Sequence, residues 1–130
     1  MDEEVLVSRE FRPDHAQLEF GAVGASYPEW GFGSEPMVAN GEKVVVATGP
    51  DFEGNVVVEV RRGGADQPPE GASALIHDGA IRVSRAGAEV GTYLGADLER
   101  VVLPAGDHRV RVFVDEPAYA TRVVFVVAPS

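Results

Sequence analysis

Short segments in which apolar and polar residues alternate limit the possible folds more than any other feature of this sequence. Residues 16–20, 56–61 and 109–114 each place alternate residues on an apolar face, and valine predominates there. A period of two with β-branched residues predicts half-buried β-strands. Fifteen glycines and nine prolines separate the segments. No stretch of ten or more residues has a convincing amphipathic helix pattern.

Two further segments, residues 43–48 and 122–127, are apolar on both faces, which is typical of strands covered on both sides. Turn signals recur about every 8–12 residues. We therefore predict an all-β fold, an antiparallel two-sheet β-sandwich of about eight to nine strands. A length of 130 residues predicts a single domain over residues 1–130. Residues 97–103 are ambiguous, because their apolar positions also have helical spacing.

Residues 21–42 show no sustained periodicity of apolar and polar residues. They hold five glycines, two prolines and three of the ten aromatic residues of the chain. A loop this long is usually functional or contains an element that the pattern does not reveal. We expect Tyr27, Trp30 and Phe32 either to anchor a binding partner or to plug an open edge of the core. Residues 62–71 contain one Gly-Gly pair and one Pro-Pro pair, which predict an exposed loop.

The composition excludes several classes of function. Without cysteine the chain has no disulfides, thiolate zinc sites or cysteine nucleophiles. A net charge of −10 opposes unspecific binding to nucleic acid or anionic lipid. The acidic start does not resemble a secretory signal, and the apolar run at residues 123–128 is far too short for a membrane helix. We therefore expect a cytoplasmic protein with no membrane partner, no direct nucleic-acid partner and no cofactor.

Acidic residues recur at predicted loops and strand ends. If the strands are antiparallel, several of these residues reach one end of the sandwich, where an acidic rim would steer a basic protein partner. Exposed aromatic residues would supply the desolvated anchors of such an interface. The same charge is also typical of a surface that only keeps a protein soluble. The candidate binding residues are Tyr27, Trp30, Phe32, Asp51, Glu53, Asp97, Glu99, Asp115 and Glu116.

A second hypothesis concerns small ligands. Asp51, Glu53 and Asn55 place oxygen-bearing side chains at alternating positions, and calcium accepts such ligands. The EF-hand pattern is incomplete, because a predicted strand begins directly after Asn55. The alternative function is therefore a carbohydrate- or calcium-binding β-sandwich that uses this loop together with Tyr27 and Trp30.

Signatures of catalysis are weak. No serine lies in a Gly-x-Ser-x-Gly elbow, and no glycine-rich loop has the spacing and following helix of a nucleotide site. His15, His77 and His108 lack metal-ligand spacing. An enzyme would need at least two of these histidines to converge with carboxylates in one pocket. We therefore predict a protein that is not an enzyme, with neither catalytic nor metal-binding residues.

Several strand-and-turn patterns together resemble a known family. They lie at residues 15–18, 30–32, 81–83, 88–92 and 102–110. These patterns resemble the competence protein J family over most of the chain. The resemblance implies a small β-rich protein whose founding type inhibits a DNA-entry nuclease. Nuclease sites carry basic groups that hold phosphates, so an acidic protein could occupy such a site as a DNA mimic. We therefore predict a non-catalytic protein-binding module, such as an inhibitor or immunity-type partner of a basic protein like a nuclease.

Overall fold

The valine-rich alternating segments form β-strands. A computed structural model describes residues 3–31, 33–50, 53–63, 67–95 and 97–129, and within these ranges it contains no α-helix. The strands are β1 (Glu4–Phe11), β2 (Gln17–Ala22), β3 (Met37–Ala39), β4 (Lys43–Ala47), β5 (Val56–Arg62), β6 (Ala74–Val83), β7 (Ala88–Thr92), β8 (Leu98–Val101), β9 (Gly106–Val114) and β10 (Arg122–Val127).

The strands form two five-stranded sheets. The first sheet has the order β1-β5-β10-β9-β6, and the second has the order β3-β4-β2-β7-β8. Every pair of neighbouring strands is antiparallel except β5 and β10, which run parallel with Val58 beside Val123. The all-β prediction is confirmed. The ten strands slightly exceed the expected number of about eight to nine, and the parallel pair of β5 and β10 departs from the expected antiparallel pairing.

One hydrophobic core joins the two sheets. Alternate residues of each strand enter it, so that Val56, Val58 and Val60 of β5 are all buried. The rings of Phe20 on β2 and Phe125 on β10 lie 4.9 Å apart between their centroids, although these strands belong to different sheets. Burial of a Val or Phe side chain contributes roughly 1.5–3 kcal/mol, and this repeated contribution holds the sheets together.

The strands predicted to be covered on both sides are covered. On β10, Val124 and Val126 face away from the main core and form a second buried cluster with Phe113 and Ala72. Ala72 precedes β6 and covers this face of the first sheet. Within the predicted exposed loop at residues 62–71, Gly63 and Pro69 are buried, so that prediction is only partly right, and residues 64–66 lie outside the described residues.

Candidate functional site

Four loops meet at one end of the two sheets, which we call the loop end. Thr48 N donates to Ala16 O at 2.9 Å, and Leu94 N donates to the Asp14 carboxylate at 3.2 Å. These bonds join loops that come from both sheets. The loop end comprises residues 12–16, 48–50 with 53–55, 93–95 with 97, and 115–121.

Most of the acidic candidates lie at this end. Glu53, Asp97, Asp115 and Glu116 belong to its loops, and Glu99 lies next to it on β8. Phe32 and Asp51, which were also predicted, lie outside the described residues. The antiparallel chain thus brings together acidic residues that are far apart in sequence. That these residues bind a partner stays a prediction.

Asp97 and Glu99 are held by an arginine on β1. The Arg9 guanidinium contacts the Asp97 carboxylate and lies 3.4 Å from Glu99 Oε1. The backbone N of Arg12 also donates to Asp97 at 3.2 Å. The same guanidinium lies 4.2 Å above the Phe11 ring. Arg9 therefore compensates part of the negative charge of both residues, and Asp97 ties two loops of the loop end together.

Asp115 organises the loop between β9 and β10. Its Oδ1 accepts hydrogen bonds from the backbone N atoms of Glu116, Thr121 and Arg122 at 2.9, 2.9 and 3.1 Å, and its Oδ2 accepts one from the Thr121 hydroxyl. Burial acts to raise the pKa of Asp115, but these hydrogen bonds outweigh it and lower the pKa below the usual value. Both Asp115 and its neighbour Glu116 are exposed, but the Asp115 carboxylate is hydrogen-bonded within its own loop.

Glu53 fixes this loop to the β4–β5 connection. Its carboxylate accepts a hydrogen bond from the Tyr119 hydroxyl, and that bond raises the pKa of Tyr119. Asn55 instead donates to Glu10 at 3.3 Å. Glu53 and Asn55 thus have different partners. In the described part of the chain no three histidine or acidic side chains are grouped as a metal site would require.

Aromatic rings lie beside the acidic loops. The Tyr27 hydroxyl donates to the Gln17 side chain and accepts from Trp30 Nε1 at 2.9 Å. The Tyr93 ring lies 4.8 Å from the His15 ring and 5.1 Å, edge-on, from the Tyr27 ring. We call these four rings of Tyr27, Trp30, Tyr93 and His15 the aromatic cluster. The aromatic cluster lies on the outer side of the second sheet. Gln17, which binds Tyr27, belongs to the face of β2 opposite to Leu18 and Phe20, and those two residues enter the core.

A strained turn presents His15 to this cluster. His15 and Ala16 have φ values of 53° and 52°, and Gln17 N donates to Asp14 O at 3.2 Å across the turn. Non-glycine residues rarely adopt positive φ, and such strain often occurs at functional sites. A cleft of about 370 Å³ lies beside the turn, lined in part by His15, Trp30 and Ala118.

Apolar residues of the loop end were missed by the sequence reasoning. Tyr93, Leu94 and Tyr119 of the loop end are 44%, 68% and 40% exposed, and Leu98, which follows the loop end on β8, is 47% exposed. Exposed apolar side chains grouped with charged ones are typical of protein interaction surfaces. The available signal was an aromatic residue and a leucine in a turn, where polar residues are usual.

The three histidines lie in separate surroundings. His15 lies beside the Tyr93 ring at a tilted angle, His77 belongs to β6, and His108 on β9 is buried and forms a hydrogen bond with Pro104 O at 2.7 Å. Burial lowers the pKa of His77. The convergence that an enzyme hypothesis requires is thus not found among the described residues. No described helix is long and apolar enough to cross a membrane.

Comparison with known proteins finds solved structures of similar fold but no matching sequence family. No family model and no curated protein sequence matches this chain. The crystal structure of ComJ from Bacillus subtilis, an inhibitor of the DNA degrading activity of NucA, matches with a TM-score of 0.71 over 100% of both chains, at 10% sequence identity. A structure described as crocagin biosynthetic gene J matches with a TM-score of 0.58 over 100% of this chain and 99% of that one, at 14% identity. The similarity to competence protein J expected from the sequence is thereby confirmed for the structure: this chain has the same fold as ComJ along its whole length.

Proposed function

We propose that this chain is a non-catalytic β-sandwich that binds a basic protein through its loop end and inhibits it, and that the partner is a nuclease. The observation that carries this proposal is the full-length fold shared with an inhibitor of the DNA degrading activity of NucA. The acidic and apolar character of the loop end supports it independently. Function does not follow from fold alone, so the argument depends on this surface.

The charge of the loop end favours a basic partner. Asp14, Glu53, Asp97, Asp115 and Glu116 are acidic. The arginines in or next to these loops within the described ranges are Arg9, Arg12 and Arg122, of which Arg9 pairs with Asp97 and Arg122 with Glu59. Fields of this kind raise the rate of association, and salt screens them over about 8–10 Å. The expected complex therefore forms faster at low than at high ionic strength.

The exposed apolar residues supply the contact area. Interfaces concentrate their binding energy in a few aromatic and apolar residues surrounded by polar ones. Tyr93, Leu94 and Tyr119 are exposed in the same loops that carry the acidic groups. Hydrogen bonds at Asp115 and Glu53 fix these loops before binding, which reduces the entropy cost of association.

The proposal is tested by DNA degradation in a lysate of the organism that encodes the chain. Added purified chain is expected to slow degradation of linear DNA, and the protein captured on the immobilised chain is expected to regain nuclease activity after elution at high salt. Unchanged degradation with a saturating excess of chain, at both low and high salt, would contradict the proposal.

Two charge reversals form a matched pair for the same assay. Glu116→Lys changes an exposed residue of the loop end, and Glu42→Lys makes the same change in the exposed β3–β4 turn at the opposite end. We expect Glu116→Lys to weaken inhibition and Glu42→Lys to leave it nearly unchanged. Equal loss of inhibition with both variants would show that inhibition depends on the net charge of the chain and not on the loop end.

A further inference from the structure

A groove lies on the outer face of the second sheet, and two glycines, Gly21 and Gly91, line it. A Cβ atom on Gly21 would lie 2.6 Å from Lys43 Cα, and one on Gly91 would lie 2.6 Å from Asp97 O. The neighbouring strands therefore approach these two positions more closely than any side chain allows. The resulting groove has a volume of about 200 Å³, and its other lining residues include Glu19, Lys43, Glu89, Tyr93, Leu94 and Leu98.

A half-satisfied carboxylate lies in this groove. Glu19 Oε1 accepts a hydrogen bond from Lys43 Nζ at 2.9 Å, and the two side chains are only 12% and 15% exposed. Glu19 Oε2 is buried and has no hydrogen-bond partner. Burial of this group raises the pKa of Glu19, while Lys43 opposes the rise. A buried acceptor without a donor is unfavourable, so a ligand that donates to Oε2 would gain this interaction once the Glu19 side chain turns toward the groove to admit it.

The remaining groove residues favour a cationic ligand with an apolar stem. Glu19 and Glu89 outnumber Lys43, which leaves an excess of negative charge in the groove. Tyr93 and Leu98 are exposed along its rim. Because Tyr93 also contacts His15 and Tyr27, the groove is continuous with the aromatic cluster and thus with the loop end.

We propose that this groove receives an arginine side chain of a protein partner, with the guanidinium donating to Glu19 Oε2 and the stem packed on Tyr93 and Leu98. The planar guanidinium donates in several directions and is more weakly hydrated than an ammonium group, which suits a half-buried carboxylate that already binds one lysine. The identity of the partner rests on the proposed function. The chemistry of the site does not, and it can be tested without the partner.

The test is an NMR titration of the isotope-labelled chain with N-acetyl-arginine methylamide. The matched ligand is the citrulline analogue, which has nearly the same shape but no charge. We expect saturable shifts of the amides of Gly21, Gly91 and Leu94, with a dissociation constant of the order of millimolar for a single side chain. Citrulline is expected to bind at least about tenfold more weakly.

Two variants locate the binding. Glu19→Gln keeps the shape of the acceptor but removes its charge, and is expected to abolish the saturable shifts. Glu4→Gln removes the same charge from an exposed side chain of β1 in the other sheet, and is expected to bind like the unchanged protein. If Glu19→Gln does not fold, the comparison of arginine with citrulline on the unchanged chain still tests the proposal.

The proposal is overturned if citrulline shifts the same amides as strongly as arginine, if the shifts lie outside the groove, or if a folded Glu19→Gln binds normally. Its failure differs from failure of the proposed function. Arginine binding in the groove together with an unaffected nuclease assay would reject only the inhibitor proposal. Inhibition of the nuclease without arginine binding would reject only the proposal that the groove receives an arginine side chain.

Discussion

Replacing Asp115 with alanine tests whether the β9–β10 loop is fixed before any partner binds. The substitution removes the acceptor for three backbone N–H groups and one hydroxyl group. A hydrogen bond to a charged group contributes about 1.5–3 kcal/mol when it is well shielded. Asp115 is exposed, so water replaces part of each lost bond, and the expected loss is about 1–2 kcal/mol, as for loss of a helix N-cap.

The effect of Asp115→Ala depends on pH in a defined direction. The pKa of Asp115 in the folded chain lies below its usual value of 3.8. A carboxylate of this kind stabilises the fold above its unfolded pKa, and this stabilisation is lost as the pH falls through the folded pKa. The difference between the variant and the unchanged chain is therefore full near neutral pH and shrinks in strong acid.

Urea unfolding from about pH 7 to pH 2.5 measures this difference directly. At neutral pH a loss of 1 kcal/mol in the free energy of unfolding would also lower the melting temperature by roughly 3–5 °C for a domain of this size. Glu116→Ala serves as the control, because it changes the exposed neighbour in the same loop. A difference below about 0.5 kcal/mol at neutral pH, or one that persists unchanged in acid, would refute this account of the loop.

Three further predictions concern the core, the strained turn and calcium. Phe20→Ala is expected to lower the free energy of unfolding by about 3–5 kcal/mol in urea titrations, whereas Val5→Ala, at a position 52% exposed, should change it by less than about 0.5 kcal/mol. Ala16→Gly is expected to raise stability by roughly 0.5–1 kcal/mol, because glycine relieves a φ of 52° at some entropic cost; a lower melting temperature would contradict this. Calcium should leave the melting temperature unchanged, because Glu53 and Asn55 have different partners, and a concentration-dependent rise would support the calcium hypothesis instead.

The sequence predicted the sheets well because side-chain periodicity is a local property. Valines of period two became β5 and β9, and the segments apolar on both faces became the doubly covered β4 and β10. Strand β3 escaped the prediction because it has only three residues, and β8 was ambiguous because the apolar residues of its segment also have helical spacing. The parallel pairing of β5 with β10 is set by contacts distant in sequence, which periodicity does not report.

The candidate site was predicted in outline and not in its details. The gathering of Glu53 and Asp115 at one end follows from strand direction, which the sequence does indicate. Their bonds to Tyr119 and to the loop backbone depend on three-dimensional geometry. Tyr93 was missed because it lies in a turn, where the periodicity of apolar residues along a strand gives no information about the position of a side chain. The groove was missed because a glycine in a strand does not reveal how closely the next strand approaches.

The central claim is that the loop end binds a basic protein. Amide hydrogen exchange of the chain, measured alone and with the captured partner, tests it most directly. We predict slower exchange at residues 12–16, 93–95 and 115–121, and unchanged exchange in the turns at the opposite end, residues 40–42 and 84–87. Protection confined to those opposite turns, or no protection at the loop end in a saturated complex, would contradict the claim.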